Sequence, residues 1–118
     1  MAENARFYYE DTIVYEEKAA GKFLKPAALE PLERIHRQLT SISDFNEKAL
    51  EDAFRSVMAE SGLKLGKIAQ PVRVALTGKT VSPGIFEVIA IIGRSRTLER
   101  IQAAISYIRQ QAEIKANT

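Results

Sequence analysis

Arg73 stands nine residues before Ser82-Pro83-Gly84, and Ile85-Phe86 follow at once. These residue types suit the reading of unpaired nucleobases. A base outside a duplex exposes its Watson–Crick edge and its π-face. A protein that reads it needs a planar multi-donor group, free backbone amides and an apolar or aromatic platform, all close together. Arg73 supplies a fork of donors that can bond carbonyl and ring acceptors or stack on a face. A helix starting at Ser82-Pro83-Gly84 aims unpaired N–H groups at a base edge or a phosphate, and Gly84 permits close approach. Ile85 and Phe86 offer stacking or packing surface. Each has a plainer reading as well: Ser-Pro-Gly as a helix cap, Phe86 as core, Arg73 as a donor to helix carbonyls.

Other chemistries lack their parts. The chain has no Cys, which removes thiol nucleophiles, disulfides and Cys-based zinc sites and fits a reducing compartment. Its one histidine, His36, lies between Arg34 and Arg37 with no second ligand or base nearby, and reads as a surface side chain. The neighbouring carboxylates Glu16-Glu17 and Glu51-Asp52 point to different helix faces, which is poor geometry for shared acid–base work. There is no glycine-rich phosphate cradle. No catalytic residue and no metal site is expected.

Helical spacing dominates the elements that must carry these residues. Glu16 to Leu24 is a short helix ended by Lys25-Pro26, because a residue before proline avoids helical angles. Leu29, Leu32, Ile35, Leu39 and Ile42 recur at threes and fours, with Pro31 tolerated near the helix start. Asp44 with Glu47 has the spacing of a capping box, and Leu50, Ala53, Phe54, Val57 and Met58 line the helix that follows, to Ser61-Gly62. A further helix covers about Lys67 to Leu76, with Pro71 either kinking it or opening a second short helix. Ser82 is expected to cap a helix with Pro83 at its first position. Ile85 to Ile92 is β-branched enough to be a strand, but the start signal and Gly93 favour a buried helix. A last helix runs from about Arg96 to Lys115, with Leu98, Ile101, Ile105 and Ile108 inward and Glu99, Arg100, Arg109 and Glu113 toward solvent. The fold expected is an all-α compact bundle of five to seven helices. The stretch through Phe7-Tyr8-Tyr9 is left unassigned as an arm or packed loop.

The 118 residues make one domain, able to bury roughly 65% of the unfolded surface. The net charge of +2 is uneven. Residues 1–60 hold 8 Lys or Arg against 12 Asp or Glu, whereas residues 61–100 hold 7 against 2. The cations of that second stretch are Lys64, Lys67, Arg73, Lys79, Arg94, Arg96 and Arg100, a local excess that attracts a polyanion. Such residues also serve simply as solvating charge on helix faces. The longest apolar run, Val88 to Ile92, is far too short to span a bilayer, and the N-terminus lacks the layout of a secretion signal. A soluble, cytoplasmic chain with no membrane contact is expected.

The block from Gln70 to Gly93 resembles the C-terminal anticodon-binding domain of bacterial glutamyl-tRNA synthetase, a class I aminoacyl-tRNA synthetase. Lys64-Leu65-Gly66-Lys67, Arg96-Thr97-Leu98-Glu99-Arg100, Arg6-Phe7-Tyr8-Tyr9-Glu10-Asp11 and Glu17-Lys18-Ala19-Ala20 extend the resemblance over nearly the whole chain. It implies a protein of translation that binds the anticodon stem-loop of tRNA-Glu. By position, Arg73 and Ile85 would contact the third anticodon base, and Ser82, Pro83 and Phe86 the second, with Gly84 between them. Ser82 stands where some members have Thr, and Ile85 where Leu is common. Lys64, Lys67, Lys79, Arg94 and Arg96 are the candidate phosphate contacts.

The family's reader of the first anticodon base lies upstream of Arg6, and its His-Ile-Gly-His and Lys-Met-Ser-Lys type motifs do not occur here. The resemblance therefore implies a non-catalytic part of a glutamate-tRNA ligase whose ATP and Mg belong to a catalytic domain outside this chain. Residues 1–25 are expected to be an arm and short helix ending a preceding domain or linker, and 26–118 the helical anticodon-binding domain. The alternative is a helical protein-interaction module without RNA specificity.

Overall fold

Residues 13–116 are described in a computed structural model, and they form six α-helices with no strand among them. The helices are α1 (Glu17–Phe23), α2 (Leu29–Ser41), α3 (Glu47–Ser61), α4 (Leu65–Thr77), α5 (Ile85–Ile92) and α6 (Arg94–Ala116), with a 3-10 turn over Pro26–Ala28. The expected all-α bundle is what forms. The Phe7-Tyr8-Tyr9 arm lies outside the described residues.

α2 follows its apolar spacing, with Leu32, Ile35 and Leu39 fully buried against α3 and α6. α3 buries Leu50, Ala53, Phe54 and Val57. Its cap is Asn46, whose side-chain oxygen accepts the Ala49 N–H at 2.9 Å, and Asp44 does not serve. Asn46 has the extended backbone an N-cap needs, at φ −119° and ψ 171°.

α4 is one helix straight through Pro71, two residues longer at its start than expected. The proline removes the bond to the Lys67 carbonyl and buries its ring in exchange. α4 is apolar over most of its surface because α1, α2, α3 and α6 all pack on it, and Ile68, Val72, Val74, Ala75 and Leu76 are almost wholly buried. α5 is a buried helix in spite of its β-branched composition. Helices surround it, and burying Val88 and Ile89 outweighs intrinsic propensity, which is under ~1 kcal/mol per residue.

Gly93 joins α5 to α6 in a single residue. Its φ of 90° lets its N–H close α5 on the Ile89 carbonyl at 2.9 Å while its own carbonyl accepts the Thr97 N–H at 3.0 Å. α6 consequently begins at Arg94. It presents Ile101, Ala104, Ile105 and Ile108 to α2 and α4, together with Arg100, which is only 4% exposed. The expectation that Arg100 faces solvent is corrected. Its Nη1 donates to the Leu76 carbonyl at 2.9 Å, in the last turn of α4, where carbonyls lack helical donors.

Candidate nucleic-acid interface

α4 ends with Thr77-Gly78, and the six residues from Lys79 to Gly84 lead to α5. This connection is held at several points. The Thr77 hydroxyl donates to the Arg73 carbonyl at 2.8 Å and accepts the Lys79 N–H at 3.1 Å. The Gly78 carbonyl accepts the Glu16 N–H at 2.8 Å, which ties the segment before α1 to the end of α4.

Arg73 projects from the last part of α4 into the loop. Its Nε donates to the Ser82 hydroxyl oxygen at 2.9 Å, and that hydroxyl donates onward to the Pro83 carbonyl at 2.8 Å. Its Nη1 donates to the Gln70 side-chain oxygen, one turn back on α4. Nη2 keeps both of its N–H groups without a partner among the described residues. Partial burial strips water from the guanidinium and pulls its pKa below the ordinary value, yet arginine stays charged at any physiological pH. The result is a partly desolvated cation fixed on one side and unspent on the other.

The Arg73–Ser82 pairing joins the two ends of the motif, but Ser82 is not the expected helix cap. α5 starts at Ile85 with Gly84 as N-cap and no side-chain cap bond, because the Ser82 hydroxyl is committed to Arg73 and Pro83. Pro83 and Gly84 are exposed, and the N–H groups of α5's first turn have no helical acceptors. Ile85 is 6% exposed, with its side chain in the core. Phe86 is half-buried and meets Phe54 edge to face at 5.1 Å. What these two residues offer outward is chiefly backbone N–H.

The other cations divide. Lys79 is exposed beside the loop, and Lys64 and Lys67 are exposed at the opposite end of α4. Arg94 is spent within the fold. Its Nη1 donates to the Leu39 carbonyl at 2.7 Å, its Nη2 to the Ser43 carbonyl at 3.2 Å, and its guanidinium lies over Phe45 at 5.1 Å. Arg96 is half-buried in the first turn of α6. Two residues of the site escaped sequence reasoning, Gln70 and Thr77. The available signals were a glutamine three residues before an arginine on a helix, and a threonine directly before a C-terminal glycine. Among the described residues no cluster of His, Cys, Asp and Glu could hold a metal.

Comparison with known proteins identifies the family. A family model described as an anticodon binding domain matches residues 1–105. A glutamate–tRNA ligase of Syntrophobacter fumaroxidans is 48% identical over 112 residues, covering 95% of this chain and 24% of its own length. One from Desulfosudis oleivorans is 51% identical over 110 residues, covering 93% of this chain and 24% of its own. The chain thus spans about a quarter of the length of these relatives. Among solved structures, a glutamate–tRNA ligase from Elizabethkingia meningosepticum shares the fold at a TM-score of 0.83 and 24% identity, covering 90% of this chain and 21% of its own. The glutamate–tRNA synthetase of Elizabethkingia anophelis matches at 0.76 and 26% identity, covering 88% and 20%. The chain belongs to the anticodon-binding domain family, in the form that glutamate–tRNA ligases carry.

Proposed function

We propose that this chain reads the anticodon loop of tRNA-Glu on behalf of a glutamate–tRNA ligase whose catalytic domain lies outside these residues and uses ATP and Mg there. The observation that carries the reading is the Arg73 guanidinium, held by Ser82 and Gln70 with Nη2 left to bond a base. A fixed, partly desolvated fork discriminates acceptor patterns better than a floppy one, because a base with the wrong edge leaves its donors unpaired. The first-turn N–H groups of α5, which follow the exposed Gly84 and have no helical acceptors, supply donors beside it, and exposed Lys79 supplies positive charge. Lys64 and Lys67 extend that charge along the flanking phosphates. Binding here contributes to catalysis at a distance by registering the tRNA so that its acceptor end reaches the reacting groups.

The test is a fluorescence-anisotropy titration of the 118-residue chain with a glutamate anticodon stem-loop and a scrambled-loop control, at two salt concentrations. The cognate loop is expected to bind more tightly, and salt to weaken both. Arg73→Ala is expected to remove about 1–3 kcal/mol from the cognate loop alone. Equal loss for both loops, or salt-insensitive binding, would count against base reading and toward a protein-binding role.

A further inference from the structure

Gln70 lies on the face of α4 that carries Arg73, and its side-chain amide is used at both ends. Its oxygen accepts from Arg73 Nη1, and its Nε2 donates to the Thr80 carbonyl at 3.5 Å, the long end of such bonds. The two partners fix the amide's orientation without ambiguity. A guanidinium nitrogen can only donate and a backbone carbonyl can only accept, so the oxygen must face Arg73 and the nitrogen must face Thr80. Gln70 therefore touches both the candidate base reader and the loop that carries Ser82. It closes a ring of contacts running from Gln70 to Arg73, to Ser82, and back through the loop to Thr80.

We propose that Gln70 is a positioning residue for base recognition, holding the Arg73 guanidinium in one plane so that Nη2 is aimed at the bound base before RNA arrives. The inference deepens the reading given above and rests on it. Arginine has many rotamers in solution, and freezing them on binding costs affinity and blurs the choice between bases. Ser82 alone fixes one point, Nε, and a planar group held at one point still swings about that bond. The bond to Gln70 at Nη1 is the second point, and two points on a planar fork set its orientation. The bond to Thr80 then ties that orientation to the loop, so that reader and loop keep one register.

The experiment compares the wild-type chain with Gln70→Met, which keeps length and loses both bonds, and Gln70→Glu, which keeps the acceptor toward Arg73. Side-chain NMR of the free chain reads hydrogen exchange at Arg73 Nη1–H, the group that donates to Gln70. Anisotropy reads discrimination between the cognate stem-loop and loops changed one anticodon position at a time. Gln70→Met is expected to speed the exchange and to cut discrimination at the position read by Arg73 by about tenfold. Gln70→Glu is expected to keep the exchange slow. In an Arg73→Ala background Gln70→Met should have no further effect on discrimination. If Gln70→Met leaves exchange and discrimination at wild-type values while Arg73→Ala abolishes discrimination, the positioning role is overturned and the reading of Arg73 stands. If Arg73→Ala itself leaves discrimination intact, base reading by Arg73 is wrong, and the role given to Gln70 falls with it.

Discussion

The backbone carbonyl of Val14 occupies the space beside Gly78 where any other residue would place its Cβ, well inside van der Waals contact. Gly78 has a φ of 79°, and its carbonyl accepts the Glu16 N–H at 2.8 Å. The segment entering α1 is thus seated directly on the residue that ends α4 and begins the Arg73–Ser82 loop. Whatever moves residues 13–16 relative to α4 also moves the start of that loop.

Gly78→Ala is therefore expected to be strongly destabilising. A left-handed backbone costs an alanine about 1–2 kcal/mol, and the added methyl must also displace a backbone carbonyl rather than a pliable side chain. A total loss of about 2–4 kcal/mol by urea unfolding is expected. Gly62→Ala is the control: its φ of 75° carries the same conformational cost, but its Cβ would meet nothing within 4 Å. Equal losses at the two positions would show that the Val14 contact contributes nothing.

Tyr15 anchors the same segment, packing edge to face on Tyr107 with ring centroids 5.1 Å apart. Burial, and secondarily the neighbouring Tyr107, raises the Tyr15 pKa above its ordinary value of about 10. The folded state thus holds the phenol proton more tightly than the unfolded state. The contribution is fully present below the unfolded pKa and is lost as pH rises through about 10 toward the higher folded value. Tyr15→Phe is expected to flatten the fall in stability over that alkaline window while preserving the ring contact. Urea midpoints measured between neutral pH and about 11 check it, and an unchanged alkaline slope would refute the assignment.

How far this was legible in the chain depends on whether the deciding interaction was local. The stripes of α2 and α3 follow from spacing alone, since Leu32, Ile35 and Leu39 recur at helical intervals and are buried. α5 required weighing a start signal against β-branched composition, and the helix formed although the signal was misread in detail. Ser82 was expected to cap it, whereas its hydroxyl is taken by Arg73, nine residues earlier and on another helix. Asp44 and Asn46 are both good capping types two residues apart, and α3 starts at Glu47, which puts Asn46 at the cap. Arg100 sits on the buried stripe of α6, yet its charge argued it outward. What drew it in was the Leu76 carbonyl of a different helix. Residues in the site were visible as a pattern, but which atoms bond which was not.

Arg94 and Lys79 separate charge committed within the fold from charge left at the surface. Both belong to the basic stretch, but Arg94 bridges the carbonyls of Leu39 and Ser43 and covers Phe45, while the Lys79 side chain is exposed at the loop. Arg94→Ala is expected to lower stability by about 1–3 kcal/mol, since two charge-assisted bonds to the end of α2 and a cation–π contact disappear together. A lysine at this position would not restore it, because an ammonium lacks the planar fork that reaches both carbonyls while lying over the Phe45 ring. The salt dependence of RNA binding should hardly change in Arg94→Ala, because a guanidinium already committed within the fold releases few counterions. Lys79→Ala should do the reverse, leaving the urea midpoint unchanged and lowering the slope of log affinity against log salt by roughly 0.7, the value for one contact to a single strand. Measuring both quantities on both variants decides the matter. A slope change for Arg94→Ala as large as that for Lys79→Ala would mean that Arg94 leaves its carbonyls and turns to the phosphates when RNA binds.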